Sequence, residues 1–273
     1  MWSLKKIFNF SSTIDILITN ETNFQLEIYV QKLLIELITQ KTRKRLKGKK
    51  IEIIIPENFG QTVYKYAIDE EKEYYDKYGY STSRGNFSIT LENNKPNFKL
   101  IINSSFFEDF QYFSTLTHEF THALDFSEYI NKYGNPITMD REMKKDNYYF
   151  EFFLWTEFNA KKIGLLRFQK ELHNNNLELV ISLSNFINEI ENEVDSLPKL
   201  YHLMHFFARI SVCKDKLDYW ELSTFSRDYL IPKFGQDVTT IQLIMEKIVD
   251  FKGFEKEKNL LRYLLFSPKN YFY

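Results

Sequence analysis

The chain has 273 residues, of which 44% are hydrophobic and 17% aromatic, with only 8 glycines and 6 prolines. This composition excludes a disordered or fibrous protein, because the apolar content is enough for one large domain or two small ones. The 36 basic and 37 acidic residues leave a net charge of -1, which argues against nucleic-acid binding over the whole surface. The single cysteine, Cys213, excludes a disulfide framework and a cysteine-based zinc ribbon, and we expect it to be a small buried hydrophobe.

The N-terminal residues do not have the features of a signal peptide. Lys5 and Lys6 lie near the start, but the segment that follows mixes polar and apolar residues and offers no small-residue cleavage site. No apolar run later in the sequence approaches the length of a membrane span. We therefore expect a cytoplasmic protein that makes no membrane contact.

The first third of the sequence predicts a strand–helix–strand unit. Isoleucines at alternate positions predict a strand from Thr13 to Thr19, and a helical period runs from Phe24 to Leu46. Ile51 to Ile55 indicates a buried strand that ends at Pro56.

Basic residues cluster from Lys41 to Lys50, around the predicted end of this helix. Basic side chains suit a helix C-terminus and Gly48 suits the position just past it, so an ordinary helix end accounts for most of the cluster. The alternative is a patch that contacts nucleic acid or anionic lipid. Aromatic interleaving and a recognised nucleic-acid motif are both missing from the sequence, so we consider a nucleic-acid partner unlikely.

The rest of the chain predicts a hairpin followed by helices, which gives an α+β fold with a mainly helical C-terminal part. The segments Phe87 to Leu91 and Phe98 to Ile102 form the hairpin-like pair. Residues 174–176 form an asparagine hinge that divides the chain into predicted domains at 1–173 and 174–273, unless the second is a subdomain of the first. The main helices are predicted at Phe106 to Phe126, Asn147 to Leu172, Leu177 to Glu193, Lys199 to Val212 and Val238 to Phe251.

The run from Thr117 to Asp125 contains the pattern His-Glu-x-x-His on a segment predicted to be helical. Four residues apart, His118 and His122 lie on one helix face, one turn apart, and can bind a single metal ion. Glu119 lies about 100° around the helix, where its carboxylate can meet a water on the metal rather than the metal itself. The alternative is a partly buried helix whose histidines make ordinary hydrogen bonds.

A catalytic zinc site needs a third protein ligand, with the fourth position left to water. We favour Glu157, since it shares a predicted helix face with apolar residues, where a carboxylate is costly unless a cation or donor meets it. The alternative is that Glu157 pairs with an arginine or lysine. His173, His202 and His205 are the later histidines that could serve instead.

Three more polar residues are candidates for supporting roles. Asp125 lies on the metal-facing side of the predicted helix and could accept the other ring proton of a ligand histidine, or it could be a solvated acid near the helix end. His202 or His205 could donate a hydrogen bond to an oxyanion, although ordinary core or surface histidines are the simpler explanation for both.

His118-Glu119-x-x-His122 with a downstream Glu157 resembles the gluzincin branch of the zinc metallopeptidases. The stretch from Trp155 to Gly164 is also similar to small zincin-like proteins of Gram-positive bacteria and their mobile elements, which suggests a bacterial or phage protein. A more distant likeness is to the ImmA/IrrE-type metallopeptidases. The chain differs from that group at Phe120-Thr121 and lacks an obvious DNA-binding module, which argues against a repressor substrate.

The resemblance covers roughly residues 98–166, and the strand–helix–strand unit before it is compatible with it. We therefore assign a zincin-like metallopeptidase domain, with a small mixed sheet and an active-site helix, to residues 1–173. The resemblance implies one Zn²⁺ per chain on His118, His122 and Glu157, with Glu119 as general base. It also implies that the strand just before the active-site helix, Phe98 to Ile102, lines the substrate cleft.

The sequence therefore predicts a zinc-dependent hydrolase of peptide bonds in a peptide or protein substrate. The first alternative is a zincin scaffold that binds or regulates a partner without peptidase activity. The second is a metal-free helical protein whose basic cluster, Lys41 to Lys50, contacts nucleic acid.

Overall fold

A computed structural model describes residues 14–79, 83–107, 111–180, 182–193, 195–213, 219–268 and 270. The chain forms two compact units, Met1–Thr138 and Met139–Tyr273. The sequence-predicted domain boundary at 173/174 coincides instead with the end of a long helix of the second unit. The assignment of domains stays a prediction, as does the interpretation of the N-terminal ten residues, which lie outside the described residues.

The first unit combines a four-stranded sheet with helices. Within the described residues its elements are β1 (Asp15–Asn20), α1 (Glu27–Leu37), α2 (Gln40–Arg45), β2 (Lys50–Ile55), α3 (Phe59–Tyr66), α4 (Asp69–Tyr78), β3 (Gly85–Glu92), β4 (Lys95–Ile102) and α5 (Gln111–Tyr133). The predicted strands and hairpin are confirmed, apart from Thr13, which lies outside the described residues. Asn93 and Asn94 close the hairpin, both with positive φ, which a tight two-residue turn requires.

The sheet is mixed, with strand order β1-β2-β4-β3. β1, β2 and β4 are parallel, whereas β3 pairs antiparallel with β4. Cross-strand partners share a face, so the register places Ile16, Ile51 and Phe98 on one buried surface of the sheet. Helix α5 packs against β3 and β4.

The expectation that Phe98 to Ile102 lines a substrate cleft stays a prediction, but the backbone of this strand is not open to a substrate. β4 is paired on both sides, with β2 and with β3, so its amides and carbonyls are used within the sheet. Among the described strands, β3 is the edge strand beside β4.

Two predicted helices of this unit have different bounds. The segment from Phe24 to Leu46 is broken between α1 and α2, because the Thr39 side chain accepts from the Thr42 amide and caps a new helix. The described part of helix α5 begins at Gln111, and Ser104–Phe106 form a short 3₁₀ turn capped by Asn103 rather than the start of this helix. The helical setting of the His-Glu-x-x-His segment is confirmed.

The second unit is mainly helical in its described residues, with one isolated β-bridge between Gly235 and Asn270. Its helices are α6 (Arg141–Asp146), α7 (Tyr149–Asn174), α8 (Leu183–Glu191), α9 (Ser196–Cys213), α10 (Tyr219–Phe225), α11 (Ile231–Phe234), α12 (Val238–Lys247) and α13 (Phe251–Leu265), with a π-helical segment at Ser226–Leu230. α9 packs along α7, and α12 and α13 also contact α7. Trp155 and Phe254 stack in the core with ring centroids 5.4 Å apart.

The α+β class and the mainly helical C-terminal part are thus confirmed. Cys213 is buried, as expected. The helix predicted from Val238 to Phe251 is two helices, because Asp250 accepts from the Gly253 amide and starts α13. In the described part of the chain, every helix is too short or too polar to cross a membrane.

Candidate metal centre

Helix α5 brings the three residues of the motif together. One ring nitrogen of each histidine and one carboxylate oxygen of Glu119 lie within 4.8 Å of one another. The Nε2 atoms of His118 and His122 are 3.0 Å apart, with the two rings nearly perpendicular. Glu119 is 6% exposed and His122 is 3% exposed, so the group lies largely inside the unit.

The surroundings of His122 keep its imidazole neutral. Burial removes water from the ring and lowers its pKa from 6.5 to about 3. A neutral imidazole keeps a lone pair on one ring nitrogen, and this is the form in which histidine binds a metal ion.

The donor set fits a zinc ion. Two imidazole nitrogens at ordinary zinc–nitrogen distances on a tetrahedral ion are about 3.4 Å apart. The 3.0 Å between the Nε2 atoms of His118 and His122 is close to that value, and it is also the separation of a hydrogen bond between the two rings. Phe120 and Thr121, the two residues between Glu119 and His122, are engaged elsewhere. Phe120 is in the core, and the Thr121 hydroxyl donates to the Thr117 carbonyl.

The edge strand β3 passes directly over this site. A side chain at Gly85 would place its Cβ 2.6 Å from Oε1 of Glu119. Two residues along, the Phe87 ring lies 5.6 Å from the His122 ring and 5.1 Å from the Phe126 ring, between centroids. Neither Gly85 nor Phe87 was predicted as a site residue: Phe87 was the first residue of a predicted strand, Gly85 lay before that strand, and nothing local connects either to α5.

Asp125 is buried and ion-paired, so the alternative of a solvated acid at the helix end is wrong. Its Oδ1 accepts from Nη2 of Arg45 at 2.9 Å, and Arg45 also meets Glu128 at 2.5 Å. The Asp125 side chain is 1% exposed. The predicted hydrogen bond from a ligand histidine to Asp125 stays a prediction.

Part of the basic cluster Lys41 to Lys50 is used within the first unit. Besides Arg45, Lys49 donates to Asn131 at 2.9 Å and Lys50 to Glu92 at 2.6 Å. These contacts tie the end of α2 and the start of β2 to α5 and β3. They give those three basic residues structural tasks and leave less free charge for a nucleic-acid surface.

In the second unit, Glu157 is a buried carboxylate on α7. It is 8% exposed, and its Oε2 lies 3.2 Å from Nε2 of His205 on α9. Burial raises the pKa of Glu157 to about 8, against the opposing charge of Lys161. A carboxylate in these surroundings is stabilised by a cation, which is consistent with the reasoning that singled it out as a ligand.

The two histidines proposed as oxyanion donors have carboxylate neighbours in this unit. His205 meets Glu157, and its ring centroid is 4.0 Å from that of Tyr201. His202 lies 3.1 Å from Glu193 and 3.5 Å from Glu189, measured from its ring nitrogens to the carboxylate oxygens. An oxyanion role for either histidine stays a prediction.

Comparisons of the chain with protein-family models, with curated proteins and with solved structures found no match. The residues of the site therefore carry the functional proposal.

Proposed function

We propose that this chain is a zinc-dependent metallopeptidase of the gluzincin type. The observation that carries the proposal is the convergence of the His118 and His122 Nε2 atoms beside the Glu119 carboxylate, on a buried helix under an edge strand. Either histidine alone would be ordinary. Two imidazole nitrogens 3.0 Å apart, with an acid beside them, favour a metal site with a built-in base.

In this proposal one Zn²⁺ per chain is held by His118, His122 and, as third ligand, Glu157. Burial removes water from the Glu157 carboxylate, so a divalent cation would stabilise its charged form. Two neutral histidine ligands and one carboxylate ligand would leave the zinc centre with a net positive charge. When bound, such an ion lowers the pKa of a water molecule towards neutrality and polarises a carbonyl oxygen. A three-ligand set without cysteine is typical of catalytic rather than structural zinc.

Glu119 acts as the general base. Its carboxylate takes a proton from water as the water oxygen bonds to the peptide carbonyl carbon, and returns the proton to the amine as the C–N bond breaks. Burial of Glu119 against α5 and β3 keeps the carboxylate in one place and restricts competing water.

The proposed substrate is a peptide or an extended segment of a protein. β3 pairs with β4 on one side. On its other side, none of the described strands pairs with it. Backbone groups along such an edge can pair with an extended chain laid beside it. The strand passes Glu119 and then His122, so a chain paired there would run past the proposed metal and base.

The test is metal content by mass spectrometry of the native protein, purified without chelator. We expect one zinc per chain in the wild type and loss of zinc in His122→Ala and in Glu157→Ala, with Glu142→Ala, an exposed acid on α6, as matched control. A wild type without metal after incubation with zinc contradicts the proposal. Zinc retained in Glu157→Ala would reject that ligand alone, and zinc without cleavage of any peptide would favour a binding or regulatory scaffold.

A further inference from the structure

The close approach of β3 to Glu119 has its cause at Gly85. A Cβ at this position would lie 2.6 Å from Glu119 Oε1, 2.6 Å from Thr115 Cγ2 and 3.1 Å from Glu119 Cγ. Distances under 3.0 Å are not tolerated between a real Cβ and its neighbours, so one of the three residues would have to move. Gly85 lies in a regular strand, so its role here is to leave space rather than to supply unusual backbone angles.

The surroundings determine which residue would move. Gly85 is held in the ladder opposite Ile102, and the Asn103 amide donates to the carbonyl of Arg84 at 2.9 Å, which fixes the strand. Thr115 is 7% exposed and β-branched, and such a side chain is stiff in a helix. The end of the Glu119 side chain can change its rotamer, so it moves more easily than the Thr115 side chain or the strand backbone.

We propose that Gly85 is a positioning residue for the general base: its missing side chain reserves the space that the Glu119 carboxylate occupies. This inference rests on the proposed function, in which Glu119 moves the proton. The strand backbone forms one wall of that space and Thr115, one turn before Glu119 on α5, forms another. A methyl group at residue 85 displaces the carboxylate and also presses on Thr115 Cγ2, whereas neither histidine is among the three atoms nearest to it.

The kinetic test compares zinc-loaded wild type, Gly85→Ala and Glu119→Gln. We expect Gly85→Ala to bind zinc with unchanged stoichiometry and to keep its KM, while kcat falls about 100-fold, the scale of a 1 Å misplacement of a catalytic group. Gly253→Ala is the matched control, because a Cβ at that glycine on α13 meets its neighbours at an ordinary 3.6 Å. Adding Thr115→Ser to Gly85→Ala removes one of the two clashes and should restore part of kcat.

Two readouts are independent of activity. A crystal structure of Gly85→Ala should show the Glu119 carboxylate displaced, with the His118 and His122 rings unmoved. In urea unfolding, Gly85→Ala should lower the midpoint in the wild-type background and lower it less in Glu119→Ala, where the clash with the carboxylate is gone.

Wild-type kcat in Gly85→Ala, or an unmoved Glu119 carboxylate in its crystal structure, would overturn the inference while leaving the proposed function intact. An inert wild type, or full activity in Glu119→Gln, would instead overturn the proposed function. In that case the crystal structure and the unfolding midpoints still decide whether Gly85 fixes the Glu119 carboxylate.

Discussion

Asp125 and Glu119 are two buried carboxylates on one helix, and their neighbours give them different tasks. Asp125 is paired with the guanidinium of Arg45, which balances its charge inside the unit. Glu119 lies beside the histidine pair and close to the backbone of β3 at Gly85, which has no side chain. The first environment suits a structural ion pair that ties α2 to α5, and the second suits a group that exchanges a proton.

At this scale we predict that Arg45→Ala destabilises the protein by about 3 kcal/mol, because the buried Asp125 carboxylate loses the guanidinium that pairs with it. Urea unfolding of the metal-free protein measures the change. Lys44→Ala, an exposed basic residue of the same helix, should change the stability by less than about 0.5 kcal/mol. Equal stabilities for Arg45→Ala and wild type would mean that another group neutralises Asp125.

Among helices, α8 and α9 are joined by a histidine between two carboxylates. Burial opposes the charge on His202, but hydrogen bonds and charges from Glu189 and Glu193 outweigh it and raise the pKa above 6.5. The hydrogen bond from His202 is the main cause that lowers the pKa of Glu189 below 4.5, with Arg209 also contributing. The contact between α8 and α9 is therefore strongest when the histidine is charged and the carboxylates are ionised.

This contact predicts a pH dependence of stability. Because the folded pKa of His202 is raised, its contribution is fully present below pH 6.5 and is lost as the pH rises through the folded value. The contribution of Glu189 is present above pH 4.5 and is lost as the pH falls through its lowered folded value. The pair should therefore stabilise the protein most between those two limits.

The measurement is urea unfolding of wild type and His202→Gln at pH values from 4.5 to 9. The free energy of unfolding of wild type should exceed that of His202→Gln by about 1 kcal/mol near pH 6, in line with a partly exposed ion pair. This difference should shrink towards pH 9. His173→Gln, which changes an exposed histidine at the end of α7, is the control and should show no such trend. A difference that is constant with pH would show that His202 acts through packing alone.

The elements themselves were largely predictable from local patterns. Alternating isoleucines predicted β1, an isoleucine-rich run before Pro56 predicted β2, two short apolar runs predicted the β3–β4 hairpin, and helical spacing predicted α5 and α7. Strand order was not predictable, because it depends on which strands pair across the sheet, and it places β4 inside the sheet with β3 beside it. The break before α2 was missed because the cap at Thr39 was not recognised and residues 40–45 suit a continuing helix as well as a new one.

The site was predictable where it follows one helix and not where it depends on tertiary contacts. Spacing alone placed His118 and His122 on one face, but nothing local links Gly85 to Glu119 or Arg45 to Asp125, which are 34 and 80 residues apart in sequence. The contact of His205 with Glu157 likewise depends on how α9 packs along α7. Cytoplasmic location stays a prediction.

For the molecule as a whole, each unit has its own buried group of polar residues: the histidine pair with Glu119 in the first, and Glu157 with His205 in the second. Each unit holds its own residues in buried surroundings, His122 at 3% and Glu157 at 8% exposure. A balanced net charge of -1 indicates that substrate choice does not rest on bulk electrostatics.

The most direct test of peptidase activity is the cleavage of a peptide library by purified, zinc-loaded wild type and Glu119→Gln, with Glu142→Gln as the matched control on α6. We predict cleavage products from the wild type and the control, and at least a 100-fold slower rate from Glu119→Gln at unchanged zinc content, because the general base is lost. Equal cleavage by Glu119→Gln and wild type, or no cleavage by a fully zinc-loaded wild type, would contradict the account.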